Sequence, residues 1–157
     1  MVEYGCFSTK LGKLCGLVDG GKVFYLDTLD VPEYRKHPQG SFIRLLEKEL
    51  TEYLDGKRQI FSFKPIVQGP YLRRRVLEEV TRIPCGETIT YKELAVIAGI
   101  RSPRLVGRIL SENNILIIIP CHRVVSVKGL GGYKLGVDVK KMLLDIESSM
   151  CGDGNGR

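Results

Sequence analysis

The stretch TYKELAVIAGIRSPRLVGRILS, residues 90–111, decides how the second half of this chain is built. Thr90 followed by Glu93 is a capping-box pattern, and Tyr91, Leu94, Ala95 and Ala98 recur at helical spacing. Gly99 supplies the residue that tolerates a left-handed conformation at a helix C-terminus. Three positions on, Ser102-Pro103 opens a second helix, with serine as N-cap and proline in the first turn. Two short helices joined by a glycine-containing turn form a helix-turn-helix signature. On the second helix Leu105, Val106, Ile109 and Leu110 make one side apolar, while Arg104, Gly107, Arg108 and Ser111 make another. Two cations, a hydroxyl and a glycine that admits a close backbone suit a phosphate-lined groove. A solvated helix face with incidental arginines would carry the same residues, so the pattern needs support from the rest of the chain.

Upstream, residues 71–81 turn Leu72, Val76, Leu77 and Val80 to one side of a helix that ends at Pro84-Cys85-Gly86. The first third reads as strands over 2–8, 14–19 and 22–29, with Asp19-Gly20-Gly21 as a hairpin signal. A polar loop then leads to Ser41, which opens a helix carrying Phe42, Leu45, Leu46, Leu50, Tyr53 and Leu54 on one face and stopping at Gly56. Residues 60–64 read as a further strand and Gln68-Gly69-Pro70 as a linker. The expected fold is therefore mixed α/β (α+β): a small sheet-plus-helix domain over 1–65, a mostly helical domain over 66–150, and a glycine-rich mobile tail over 151–157.

The composition of the 157 residues, 43% hydrophobic and 27% charged, is that of an ordinary globular chain. The net charge of +6 is concentrated, because residues 71–110 hold eight basic and four acidic side chains. A localised basic excess over the helix-turn-helix points to a polyanion. The longest apolar run, 115–120, is far short of the ~20 residues a bilayer span requires and suits a buried strand. Met1-Val2-Glu3-Tyr4-Gly5 lacks the pattern of a secretory signal. Five cysteines, at 6, 15, 85, 121 and 151, are an odd number without a C-x-x-C pair. That argues against a secreted disulfide framework and a cysteine-rich zinc site, and for a reducing, cytoplasmic setting. Cys6, Cys15 and Cys85 stay open as partners of one another, and His37 reads as a loop histidine. No metal, cofactor or membrane partner is expected, and the chain is expected to be a monomer.

Chemistry concentrates at Pro120-Cys121-His122-Arg123-Val124, directly after the apolar run. An ordinary cysteine, with a pKa near ~8.5, is only a few per cent thiolate at neutral pH and needs activation to act as a nucleophile. His122 is positioned to take the thiol proton, and Arg123 adds positive charge. A carboxylate that orients the imidazole is available on the last helix, 138–147, which turns Val139, Met142, Leu143 and Ile146 inward. Spacing alone does not choose between Asp145 and Glu147, and an inert buried thiol at Cys121 is the plainer reading.

The pentapeptide 120–124 resembles the active-site motif of the O6-alkylguanine-DNA alkyltransferases, the suicidal DNA-repair methyltransferases. The resemblance covers about residues 70–147. It includes Ile83-Pro84-Cys85-Gly86-Glu87-Thr88 with Tyr91, the run Ser102-Pro103-Arg104-Leu105-Val106-Gly107, Asn113 eight residues before the cysteine, Gly131-Gly132-Tyr133, and the final Glu147. It implies a ribonuclease-H-like N-terminal domain and irreversible, one-for-one transfer of the alkyl group from O6-alkylguanine, and from O4-alkylthymine, in double-stranded DNA to Cys121. By the same resemblance His122 is the water-mediated base, Glu147 orients it, Tyr91 donates toward N3 of the departing guanine, and Asn113 ties the recognition helix to the active-site turn. Arg104 fills the gap left by a flipped nucleotide in the minor groove, with Gly107, Arg108, Ser111 and Ser102 on the DNA-facing side. Tyr133, Lys134, Leu110 and Val124 are the expected pocket residues. Two departures stand out. Asn114 and Leu116 occupy positions where family members usually have proline, which predicts a looser turn, and Lys134-Leu135 replaces the usual small residues. Other functions compatible with parts of the pattern are a lesion-binding module without chemistry, a thiol hydrolase using Cys121 and His122, and a plain helix-turn-helix regulator.

Overall fold

The computed structural model describes residues 1–152, so most of the expected tail lies outside the described residues. The fold is mixed α/β and divides into two compact units. The first comprises Met1–Ile66 together with Asn114–Ile118; the second comprises Val67–Asn113 and the chain from Ile119 onward.

In the first unit β1 (Val2–Thr9), β2 (Gly12–Asp19) and β3 (Lys22–Asp27) form an antiparallel meander, with the β2–β3 turn at the predicted hairpin signal. Each strand has a run of three consecutive buried residues, so both faces of the sheet are partly covered; Leu14, Cys15, Val18, Val23 and Leu26 are fully buried. Helix α1 (Ser41–Leu54) packs on β1 and β2 through Ile43, Leu46 and Leu50. Each such side chain contributes on the order of 2 kcal/mol by leaving water. Ile43 takes the inward position assigned from sequence to Phe42, which is 38% exposed. The N-terminus of α1 has no local side-chain cap. Instead Glu3 reaches from β1 and accepts hydrogen bonds from the amides of Phe42 and Ile43, each at 3.1 Å.

The strand expected at 60–64 shrinks to β4 (Lys64–Pro65), parallel to β3. Its backbone groups are taken by side chains: Glu49 accepts from the Ser62 amide at 2.8 Å, and Arg58 donates to the Ile60 carbonyl at 2.9 Å. The buried strand expected at 115–120 also does not form. Leu26 instead donates to Asn114 O and accepts from the Leu116 amide, both at 2.8 Å, and Ile117 takes a left-handed φ of 71°. That conformation is costly for a β-branched residue and breaks any ladder. The bond from the Leu116 amide is one a proline could not donate, so the departure from the usual prolines does not leave the turn unbonded.

In the second unit α2 (Tyr71–Val80), α3 (Tyr91–Ala98) and α4 (Pro103–Ser111) pack on one another. Thr90 and Glu93 form the reciprocal capping box, Gly99 ends α3 at φ 74°, and Ser102 accepts from the Leu105 amide at 3.2 Å. Leu72 of α2 is 37% exposed rather than inward. A two-residue strand, β5 (Ile89–Thr90), pairs in parallel with β6 (Val124–Val125). This places the start of α3 beside the chain that leaves Cys121. Helix α5 (Val137–Cys151) closes the unit and is longer than predicted; its fully buried residues are Lys140, Leu143 and Glu147.

The odd cysteine count hides two disulfides. Cys6 and Cys15 face each other across the β1–β2 register and are bonded. Cys151, assigned from sequence to a mobile tail, is the last residue of α5 and is bonded to Cys85. Gly86 permits that junction, because a Cβ there would clash with the backbone oxygen of Gly152. Of the pairings left open from sequence, Cys6 with Cys15 is the one that forms, while Cys85 takes a partner, Cys151, that was not among them. Cys6, Cys15 and Asp30 bring metal-ligand atom types together, but both sulfurs are committed to the disulfide. No described helix is long and apolar enough to cross a membrane.

Candidate active site

Cys121 begins a single 3-10 turn, Cys121–Arg123, after Pro120, and it is the one cysteine outside a disulfide among the described residues. Its exposure is 5%. Asn113, fully buried at the end of α4, fixes the turn: its Nδ2 donates to Ile119 O at 3.1 Å and to Cys121 Sγ at 3.2 Å. Burial pushes the thiol pKa up, against the Asn113 hydrogen bond and the charges of Lys140 and Lys134, which favour the thiolate. At rest the group is therefore a thiol, and nucleophilic chemistry requires a base.

The adjacent His122 is completely buried, and its Nε2 lies 2.7 Å from Glu147 Oε2. Burial lowers the imidazole pKa and outweighs the opposing effect of Glu147, so the ring is neutral at neutral pH. A carboxylate facing Nε2 fixes the proton on that nitrogen and leaves Nδ1 as the basic one. Burial alone would raise the carboxyl pKa of Glu147, but His122 and Arg123 together hold it well below the usual carboxylate range. Arg123 grips the same carboxylate with Nε and Nη2, at 2.8 and 2.9 Å, and donates through Nη1 to Ile83 O at 2.5 Å. Its charge, expected from sequence to act at the thiol, is thus engaged by Glu147. Of the two carboxylates weighed from sequence, Glu147 is the one that faces His122, whereas Asp145 is exposed and pairs with Lys141.

A cavity of about 330 Å³ opens beside the thiol, at the lower end of the ~300–1,000 Å³ range of small-molecule sites. Cys121 lines it with Tyr91 from α3, Gly107, Leu110 and Ser111 from α4, and residues 132–134. Of the four residues expected at a substrate pocket, Tyr133, Lys134 and Leu110 line this cavity and Val124 does not. Val124 is fully buried, and its carbonyl accepts from Lys140 Nζ at 2.6 Å. Tyr91 donates to Gly132 O at 3.3 Å, and burial raises its pKa, which keeps the phenol protonated. Gly131, at φ 74°, lets the loop lie against the Tyr91 ring, where a Cβ would come within 2.7 Å.

Lys140 is a functional-site residue that sequence reasoning missed. Its Nζ, buried on α5, also donates to Gly132 O at 3.0 Å and to the Tyr91 hydroxyl at 3.5 Å. Burial lowers its pKa to about 8. The signal was available, since positions 140, 143 and 147 share one helical face, but a search for apolar periodicity passes over charged members.

Arg104 and Arg108 are exposed on α4, and Gly107 is half-buried between them. Ser111 donates to Arg108 O, so both predicted hydroxyls on this face, Ser102 and Ser111, have intrahelical partners. The arginine run on α2 is tied down differently: Arg73 donates to Glu112 O, Arg74 to Gly69 O, and Arg75 to Glu79 and Ile97 O.

Residues 71–149 match the model of the 6-O-methylguanine DNA methyltransferase DNA-binding domain. The chain is 40% identical over 151 residues to a methylated-DNA–protein-cysteine methyltransferase of Metallosphaera sedula, covering 96% of both chains. A protein of the same name from Saccharolobus solfataricus is 40% identical over 148 residues, covering 94% of this chain and 96% of the other. Among solved structures, the O6-methylguanine methyltransferase of Mycobacterium tuberculosis superposes with a TM-score of 0.83 at 30% identity, over 96% of this chain and 95% of the other. A second structure, of that organism's OGT in complex with DNA, superposes equally well over 95% and 94%.

Proposed function

The chain belongs to the 6-O-methylguanine DNA methyltransferase family and is a methylated-DNA–protein-cysteine methyltransferase, and from that premise we propose that Cys121 is its single-use alkyl acceptor. The observation that carries the proposal is the buried, unpaired thiol of Cys121 on the cavity wall, held by Asn113 and followed directly by the His122–Glu147 pair. The thiol proton passes through one water to His122 Nδ1. Glu147, fixed by Arg123, stabilises the imidazolium that forms. Sγ attacks the alkyl carbon in line with O6; the S–C bond forms as the C–O bond breaks. Tyr91, kept protonated and bonded to Lys140, donates toward N3 so that the purine leaves as a neutral base. A thioether is a poor leaving group, so the protein is consumed in the reaction, one chain per lesion.

The O6 atom of a stacked guanine is out of reach of a buried thiol, so the nucleotide must turn out of the helix at a cost of a few kcal/mol. The exposed face of α4 supplies the means: Arg104 fills the vacated space from the minor groove, Arg108 and Ser111 meet phosphate, and Gly107 admits the backbone. O4-alkylthymine presents the same alkyl–oxygen bond and falls within the same reaction.

Incubation with duplex DNA carrying O6-methylguanine should add one CH2 to the peptide containing Cys121 and to no other. Cys121→Ala should bind the DNA and leave the lesion intact. An unmodified Cys121 peptide in a folded, DNA-binding sample would overturn the assignment.

A further inference from the structure

Lys134 is the one charged residue among the described residues that line the cavity. Its stem is exposed, while its Nζ turns back to donate to Asn113 O at 3.1 Å. Asn113 is also the residue whose Nδ2 bonds the thiol, so the ammonium sits one residue away from the attacking sulfur. Its charge reaches Cys121, where it favours the thiolate. The remaining walls are uncharged: Leu110, two glycines, and the hydroxyls of Tyr91, Ser111 and Tyr133. A neutral base carrying a methyl group gives a cation on this wall nothing to pair with.

We infer that Lys134 is a specificity determinant and that the cavity favours O6-alkyl groups ending in a carboxylate, such as carboxymethyl. The inference rests on the transfer reaction proposed above. A carboxylate one bond beyond the reacting carbon is repelled by the developing thiolate, and this slows attack wherever the surrounding wall is neutral. Here the flexible Lys134 side chain exchanges its neutral carbonyl partner, Asn113 O, for the carboxylate, which makes a charge-assisted hydrogen bond and cancels the repulsion. The step is otherwise unchanged. The S–CH2 bond forms as CH2–O6 breaks, the thiol proton goes to His122, the guanine takes up one proton, and Cys121 ends as S-carboxymethylcysteine.

The test compares single-turnover transfer from two duplexes, identical except for O6-carboxymethylguanine in one and O6-ethylguanine in the other. The ratio of the two rates should fall about tenfold in Lys134→Met, as expected for loss of one partly exposed charge-assisted contact. Lys134→Arg should restore it, and added salt should reduce the wild-type ratio toward that of Lys134→Met. A lysine that only assists thiol ionisation would slow both substrates equally. An unchanged ratio in Lys134→Met therefore overturns the inference while leaving alkyl transfer standing. If the wild type transfers neither group to Cys121, the underlying reaction assignment fails instead.

Discussion

Glu49 in the first unit and Glu147 in the second are both buried helix carboxylates that face an arginine, yet only one has a place in the chemistry proposed above. Glu49 has Arg58 Nη1 at 3.7 Å and accepts from Ser62 through both its amide and its hydroxyl. It clasps the 55–63 loop to α1. Glu147 has Arg123 in a two-pronged grip, but its third hydrogen-bond contact is with the imidazole of the residue next to the thiol-bearing Cys121. The same device, a carboxylate neutralised by arginine, holds a loop in one case and fixes a tautomer in the other. Burial of a charge does not mark a site; what the carboxylate orients does.

The sharpest way to break this comparison is to neutralise each carboxylate in place. Glu147→Gln should slow alkyl transfer about 100-fold, since it removes the charge that orients and stabilises His122. Glu49→Gln should lower the unfolding midpoint and leave transfer by the folded protein within about twofold, because it acts on stability alone. Single-turnover rates on samples checked for fold by circular dichroism decide this, and equal slowing in both variants would abolish the distinction.

A smaller effect should separate the two disulfides. Cys85–Cys151 closes a sequence separation of 66 residues and Cys6–Cys15 one of 9. Loop entropy assigns them about 4 and about 2.5 kcal/mol respectively. Replacing both cysteines of the long bridge by serine should therefore cost about 1.5 kcal/mol more than the same change in the hairpin. Denaturant unfolding of the two double variants measures the difference, and a larger loss from the hairpin pair would contradict it.

Features written into adjacent residues were legible in the sequence. The Thr90/Glu93 capping box, the Gly99 stop, the Ser102 cap and the Asp19-Gly20-Gly21 turn are local, and each forms where the pattern places it. Features decided by partners distant in the chain were not legible. Cys151 meets Cys85 only because α5 runs a turn beyond its apolar stripe. The 60–64 strand is lost because Glu49 and Arg58 take its backbone groups, and the apolar run at 115–120 bends at Ile117 to bond with β3. In the site, Cys121 and His122 stand out as neighbours, whereas Glu147 was singled out by family resemblance rather than spacing. Lys140 escaped altogether, because its fully buried ammonium is satisfied by backbone carbonyls and a phenol that no periodicity reveals.

The central claim is that the thiol is activated by a histidine kept neutral through burial. The pH dependence of single-turnover transfer tests it directly. Because the pKa of His122 lies below its usual 6.5, the basic form persists to lower pH than for an exposed histidine, and the rate should pass half of its plateau value below pH 6.5 and be level above about pH 7.5. If His122 plays no part, attack must await direct ionisation of a thiol whose pKa burial has raised. The rate would then still climb about tenfold per pH unit from pH 7 to 9, and that result would contradict the account.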